Sequence, residues 1–492
     1  MTSFSTDGDP GAALEILDRF FEGVDRGRLF ENPGSGGLPE LRRRLWEALY
    51  LLLVWQRPYL EAARGLDWPY AALERRRAWF ERHAAGDPAG AAGREARLFL
   101  ALLPFRGQWR RLLEVQRGMP AHPEIRALVG REARRAAAKL AKKAQKRYKL
   151  RHFLQVLKKP QLPAAKGILR IFSLPYLFLH PGLLERLSRK YLLYVEPPWG
   201  VVFRHTWLRV FAAAAAPCLF GLGGPEDRAF LDGQDGILTT PLCHGDFLDD
   251  PPLDAAPAAH AAPAFDLVFN ASFDEMPRKR HAFLLNVLQQ PELRDVTALF
   301  IGRGSDANVG RAAAMIRAAG LAERVALRAN LLRREVPAAL QEGRLGVQVS
   351  LHENGCRSVY EYFRADLPCV ATSAMAGMDP AIFNPATGRL LPDAAFSGAL
   401  RAALNNPGVF APRRWFLENS GAENASRVLN ATFQGIFREQ GWPWGADIVP
   451  LGSSGASRYV DPGDYKAFKP QFAELLTLFR SLPGLPVRLA DE

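Results

Sequence analysis

The chain has 492 residues, which is too many for one ordinary domain, and its 48% hydrophobic and 23% charged residues are those of a globular protein rather than a disordered or fibrous one. No apolar run is long enough to span a bilayer: 48-ALYLLLVW-55 and 171-IFSLPYLFL-179 are short, and Pro175 interrupts the second. The amino terminus lacks a leader pattern and the four cysteines are scattered without ligand spacing, so the expectation is a cytoplasmic protein with free thiols and no metal.

Residues 1–160 read as helix after helix, from ALEILDRFFEGV onward, separated by turns such as 32-NPGSGG-37 and 86-GDPAGAAG-93. The net charge of +13 is concentrated at the end of this region. Residues 131–170 hold fourteen Lys or Arg against one acid, Glu132. Ala133, Ala137, Leu140, Ala144 and Tyr148 mark one weakly apolar face of a basic amphipathic helix. Two readings stand for 131–159: an anionic membrane surface held by charge, or a solvated helix packed on a neighbour by its alanines. Nucleic acid is not expected, because the basic run lacks interleaved aromatics beyond Tyr148.

Residues 165–255 change character, with short apolar strands (YLLYV, CLFGL, GILTTPL) alternating with helical pieces. A linker at 256–266 follows, inside the Ala- and Pro-rich 251-PPLDAAPAAHAAPAFD-266. From Asp266 the alternation becomes regular. DLVFNA, TALFIG, RVALRA, LGVQVS, PCVAT and GRLLP are strands, with helical segments between them, which predicts a parallel sheet covered on both faces over 266–445. A tail, 446–492, contains the amphipathic DYKAFKPQFAELLTLFR, expected to pack back on the first lobe.

In such a sheet ligands bind beyond the carboxyl ends of the strands, where Glu353, the 302-GRGSD-306 loop with Gly302, and the 273-FDEMPRKRH-281 loop all fall. Lys279, flanked by Arg278 and Arg280, opens a helix and suits a phosphate or diphosphate. Gly355 permits close backbone approach, and a carboxylate on this rim accepts hydrogen bonds from paired hydroxyls. A diphosphate between two hydroxylated rings, as in a nucleotide sugar, fits that set.

The stretch 353-ENGCRSVYE-361, within 350-SLHENG-355, 362-YFRADLPCVAT-372 and 387-TGRLLP-392, resembles the donor-binding domain of the group 1 family of retaining glycosyltransferases. The upstream 270-NASFDEMPRKRHAFLL-285 is similar to that domain's first strand and loop. The resemblance covers about 266–392 and implies a GT-B-like α/β fold: two Rossmann-type domains, here with an abbreviated first one, preceded by the helical region. It further implies that Glu353 contacts donor-sugar hydroxyls and that amides around Gly355 and Cys356 face the sugar and distal phosphate. Glu361 would hold the ribose, and Lys279 would neutralise the departing diphosphate. The family often has Arg at the end of the first strand; here Ala271 or Ser272 stands there, leaving Arg278 or Arg280 to supply that charge. Asp366 stands where glycine is usual.

Plainer readings stand beside these. Glu361 shares a helix face with Arg357 and Arg364, which makes a surface ion-pair row available. Lys279 has a solvated charge at a helix start as its alternative, Gly302 a turn former, and Cys356 a small buried residue. His205 and His244 are candidates for the acceptor side of the cleft, each with a packing role as its alternative. The function implied is transfer of a sugar from a nucleotide donor, without cofactor, to a glycan or lipid-linked acceptor in cell-surface polysaccharide assembly. The alternative is a non-catalytic module of this fold whose helical front end binds a partner.

Overall fold

A computed structural model describes residues 81–90, 93, 96, 149–172, 183–197, 217–231, 236–248, 263–351, 353–406, 410–452 and 459–482. Most of the helical region expected over 1–160, including 131–148 of the basic helix, lies outside the described residues, as do His205 and most of the linker.

The first sheet runs β1 (Leu154–Lys158), β2 (Gly167–Ile171), β3 (Tyr191–Val195), β4 (Cys218–Gly221) and β5 (Ile237–Thr240), in that spatial order. β2 to β5 are parallel and β1 is antiparallel to β2. β1 and β2 correct the expectation of a helix running to residue 160. Leu154 and Val156 enter one core and Leu157 the other, which is the two-residue period of a strand buried on both faces. The basic residues around this strand are turned to internal use. Arg170 is fully buried, Lys158 lies 4.3 Å over the Trp444 ring, and Arg151 lies 5.2 Å over Tyr465. Residues 149–159 are therefore part of the first lobe and not of a membrane-facing helix.

Helices α1 (Leu183–Lys190) and α2 (Pro225–Leu231) connect strands of this sheet. The second sheet contains β6 (Phe265–Asn270), β7 (Ala298–Gly302), β8 (Val325–Ala329), β9 (Gly343–Gln348), β10 (Cys369–Thr372) and β11 (Gly388–Leu391). All are parallel, in the order β11-β10-β9-β6-β7-β8. That is the Rossmann order, with the direction of winding reversing between β6 and β9. The helices between and after these strands are α3 (Met276–Lys279), α4 (His281–Leu288), α5 (Asp306–Ala318), α6 (Val336–Gln341), α7 (Arg357–Arg364), α8 (Phe396–Asn405) and α9 (Pro412–Asn419). Leu267 and Phe269 meet α4 and α8 on one face, while Val268 meets α6, α7 and Phe416 of α9 on the other. The two-sided covering explains why these strands read as continuous apolar runs.

Three further helices, α10 (Gly421–Glu439), α11 (Pro462–Ala467) and α12 (Lys469–Arg480), pack on the first sheet. Leu429, Phe433, Ile436 and Phe437 form a stripe at spacings of four, three and one along α10, covering Ile168, Leu192 and Leu219. Phe472, Leu475, Leu476 and Phe479 of α12 cover the opposite face with α1. The chain therefore crosses between lobes at Ser420, earlier than the boundary expected at residue 445, because the α10 stripe matches the first sheet and not the second. Among the described residues no helix is long and apolar enough to cross a membrane.

Candidate functional site

The reversal between β6 and β9 opens a crevice at their carboxyl ends, and the loops after both strands meet there. After β6, the Ser272 hydroxyl accepts a hydrogen bond from the Asp274 amide and starts the turn into α3. After β9, the Leu351 amide donates to Arg278 O at 2.9 Å, and the Glu353 amide donates to Ala376 O at 2.8 Å. Loops following β6, β9 and β10 are thereby laced together.

Glu353 is buried and accepts from Lys279 Nζ at 2.5 Å and Arg278 Nη1 at 2.8 Å. Arg278 also donates to Glu275. Burial pushes the Glu353 carboxyl up, but the two cations outweigh it and hold it at about 2. Burial likewise opposes the Arg278 charge, and Glu353 and Glu275 outweigh it, holding the guanidinium above its usual range. The corner combines two fixed cations with an ionised carboxylate. It can receive an anionic group on the cations and hydroxyl donors on the carboxylate.

Glu361 lies on α7, which starts directly after the β9 loop. Arg357 Nε donates to it at 2.8 Å, so the Arg357 half of the expected ion-pair row is present. Asn270 Nδ2, from the end of β6, donates to the other carboxylate oxygen at 2.8 Å. Glu361 thus faces the same crevice, with Arg357 and Asn270 as its partners. Arg357 Nη1 also reaches His244 Nε2 at 3.4 Å across the lobe boundary. Behind that ring, Nδ1 lies 3.7 Å from Glu196, whose two oxygens accept from Arg170 at 2.8 and 2.7 Å. Burial lowers the His244 pKa against the opposing pull of Glu196, which favours the neutral ring with its proton on Nδ1.

Several expected residues are placed otherwise. Arg280 turns away from Lys279 and forms two hydrogen bonds with Asp393, at 3.0 and 2.7 Å, so Arg278 alone supplies the extra charge beside Lys279. Gly302 serves strand packing: a Cβ there would sit 1.9 Å from Ala271 O. The Gly355 amide, expected to face a donor, donates to Gly377 O at 3.0 Å, and its positive φ of 62° sets a turn against Cys243. Cys356 is buried at the start of α7, and burial pushes its thiol up to about 12, so it stays protonated.

Asn270, Asn354 and Glu196 were missed from the sequence. Asn270 carried a usable signal, being the last residue of a strand whose end lies on the rim. Asn354 lies inside the quoted motif, but its neighbours draw attention through charge and it does not.

Residues 264–406 match the family model for Glycosyl transferases group 1. A search of curated protein sequences finds no match. Among solved structures, the chain is similar to a G117R mutant of TarM from S. aureus in complex with Fondaparinux, alpha-GlcNAc-glycerol and UDP, at 16% identity over 51% of each chain with a TM-score of 0.40. It is similar to sucrose-phosphate synthase from Thermosynechococcus elongatus at 15% identity over 55% of this chain and 74% of that one, with a TM-score of 0.43. It is also similar to HepE from Anabaena in complex with UDP and glucose, at 14% identity over 54% and 77%, with a TM-score of 0.42. The chain spans about half the length of TarM.

Proposed function

We propose, from a chain whose residues 264–406 form a group 1 glycosyltransferase domain, an enzyme that moves a sugar from a nucleotide-diphosphate donor to a glycan or lipid-linked acceptor, with retention, in cell-surface polysaccharide assembly. The observation that supports it most is the meeting of Lys279 and Arg278 with Glu353 at the β6/β9 reversal. The bond from the anomeric carbon to the distal phosphate breaks, the acceptor oxygen bonds to that carbon, and the acceptor's proton leaves with the diphosphate. Negative charge grows on the departing phosphate, and Lys279 and Arg278 are fixed beforehand to receive it without a resident cofactor. Glu353 accepts donor-sugar hydroxyls, Glu361 the ribose hydroxyls, and His244 borders the acceptor side.

One observation favours the second reading, a non-catalytic module: the Gly355 amide is already donated to Gly377. A binding and turnover panel of UDP-, GDP-, ADP- and dTDP-sugars separates the two. The enzyme reading predicts that one donor binds and turns over, and that Glu361→Ala weakens it by about tenfold or more. Binding without turnover would support the module, and no binding by any donor would end the enzyme reading. A cytoplasmic-face membrane contact is carried by the basic stretch 131–148. Flotation with anionic vesicles at low and high salt tests it: loss at high salt is the electrostatic result, and no flotation at low salt removes the contact.

A further inference from the structure

Asn354 stands between Glu353 and Gly355 and is 4% exposed. Its side chain spends all its described hydrogen bonds on the other lobe. Oδ1 accepts from the Gly223 amide at 3.0 Å, and Nδ2 donates to Pro197 O at 2.5 Å and Gly221 O at 3.3 Å. Those three partners lie beyond β3 and at the end of β4, so one amide ties down the carboxyl ends of two first-lobe strands. The backbones around it are in near contact. A Cβ on Gly223 would lie 2.9 Å from Gly355 N, and one on Gly224 would lie 2.6 Å from Gly377 Cα.

The seam continues along α7. Tyr360 packs on Gly245, and its hydroxyl lies 3.5 Å from both Asp246 Oδ2 and Cys243 Sγ. Asp246 in turn accepts from the Ser420 hydroxyl at 3.1 Å, at the point where the chain crosses between lobes. A buried amide with both its donor and acceptor atoms engaged is costly to withdraw, since each partner left behind is a buried polar group without a mate.

We propose that Asn354 is a positioning residue: a clasp between the lobes that fixes their spacing and holds the Glu353 loop against the first lobe. The loop that carries the carboxylate for Lys279 then belongs mechanically to both lobes. Withdrawing Asn354 moves the adjoining Glu353 backbone and loosens its hold on the ammonium. That this carboxylate serves a donor sugar rests on the function proposed above; the clasp itself does not.

The test reads geometry without turnover, so it stands even if no donor is found. The four native cysteines are buried, so spin labels are directed to Arg317→Cys on α5 and Arg438→Cys on α10, both exposed. Pulsed electron resonance of the ligand-free protein is expected to give one narrow interlobe distance. Asn354→Asp keeps the shape but turns a donor into an acceptor against two carbonyls, and it is expected to give a longer, broader distribution. Asn354→Ala, which removes the bonds without adding charge, is expected to shift the same way by less, and it decides the matter if the Asp variant does not fold. Amine acylation followed by peptide mass spectrometry reads the link to Glu353: Lys279, 8% exposed, is expected to react several-fold faster in the variants. An unchanged narrow distance in the variants, or a broad one in the parent, would overturn the clasp. An opened seam with unchanged Lys279 reactivity would overturn its positioning of Glu353.

Discussion

At Arg280 the backbone turns left-handed, with φ of 57°, a conformation that costs an L side chain about 1–2 kcal/mol. The cost is offset locally. Asp393 takes the guanidinium with two hydrogen bonds, and the Phe283 ring lies 3.8 Å beneath it. The turn separates α3 from α4, and the residue before it, Lys279, is the one aimed at Glu353. Arg280→Ala keeps the strain and loses the support, whereas Arg280→Gly loses both. Urea unfolding is therefore expected to find the Ala variant less stable than the Gly variant by about 1 kcal/mol, and equal stabilities would remove the strain argument. The run RKRH shows three adjacent cations, but successive helical residues point about 100° apart. Only the fold tells that Arg278 joins Lys279 and Arg280 does not. Asp366, read in the sequence where glycine is usual, is left-handed as well, at 60°. Glu353 behaves as a carboxylate with a depressed pKa. Its contribution to stability is in place above the ordinary carboxylate range and is lost as pH falls through about 2, so it stays ionised at any working pH.

The helix that follows Lys279, α4, starts in a buried aromatic box. His281, the first residue of α4, is 1% exposed among Phe269, Phe273 and Phe300. Burial depresses its pKa to about 4. The unfolded chain takes up this proton near 6.5 while the folded one resists, so stability contributed above that value is lost as pH falls from 6.5 toward 4, by about 3 kcal/mol. His281→Phe is expected to flatten that acid-side loss in urea titrations at pH 5 and 8; an unchanged slope would place the loss elsewhere. The strands of the second sheet were legible because each is a run of four to six mainly apolar residues, broken by a single Arg in β8, β9 and β11, between turn signals. β1 was not: its strand alternation lies inside a run of cations whose spacing also suits a helix. Nor was the partner of α10, since an amphipathic stripe announces a buried face but not which sheet buries it. For α12 the packing predicts that Phe472→Ala costs about 3–5 kcal/mol in equilibrium unfolding, as removal of a fully buried ring in a shared core does.

On the scale of the whole molecule, the carboxyl-terminal helices make the first lobe a composite of two distant stretches of chain, and the second lobe is held between them. Its rim was legible from the alternation of strands and helices, because ligands bind beyond the carboxyl ends of parallel strands and the charged loops fall there, but the β6/β9 reversal, which needs the strand order, was not. The clasp at Asn354 was not legible either, since it is made of glycines, backbone carbonyls and a neutral amide, none of which stands out in a list of chemically reactive residues. The central claim is that Lys279 and its neighbours form an anion site for a nucleoside diphosphate at the β6/β9 reversal. Isothermal calorimetry of UDP, GDP, ADP and dTDP against the parent and Lys279→Ala tests it most directly. At least one is expected to bind the parent and to weaken by about tenfold or more in the variant. Failure of all four to bind, or equal binding by both proteins, would contradict it.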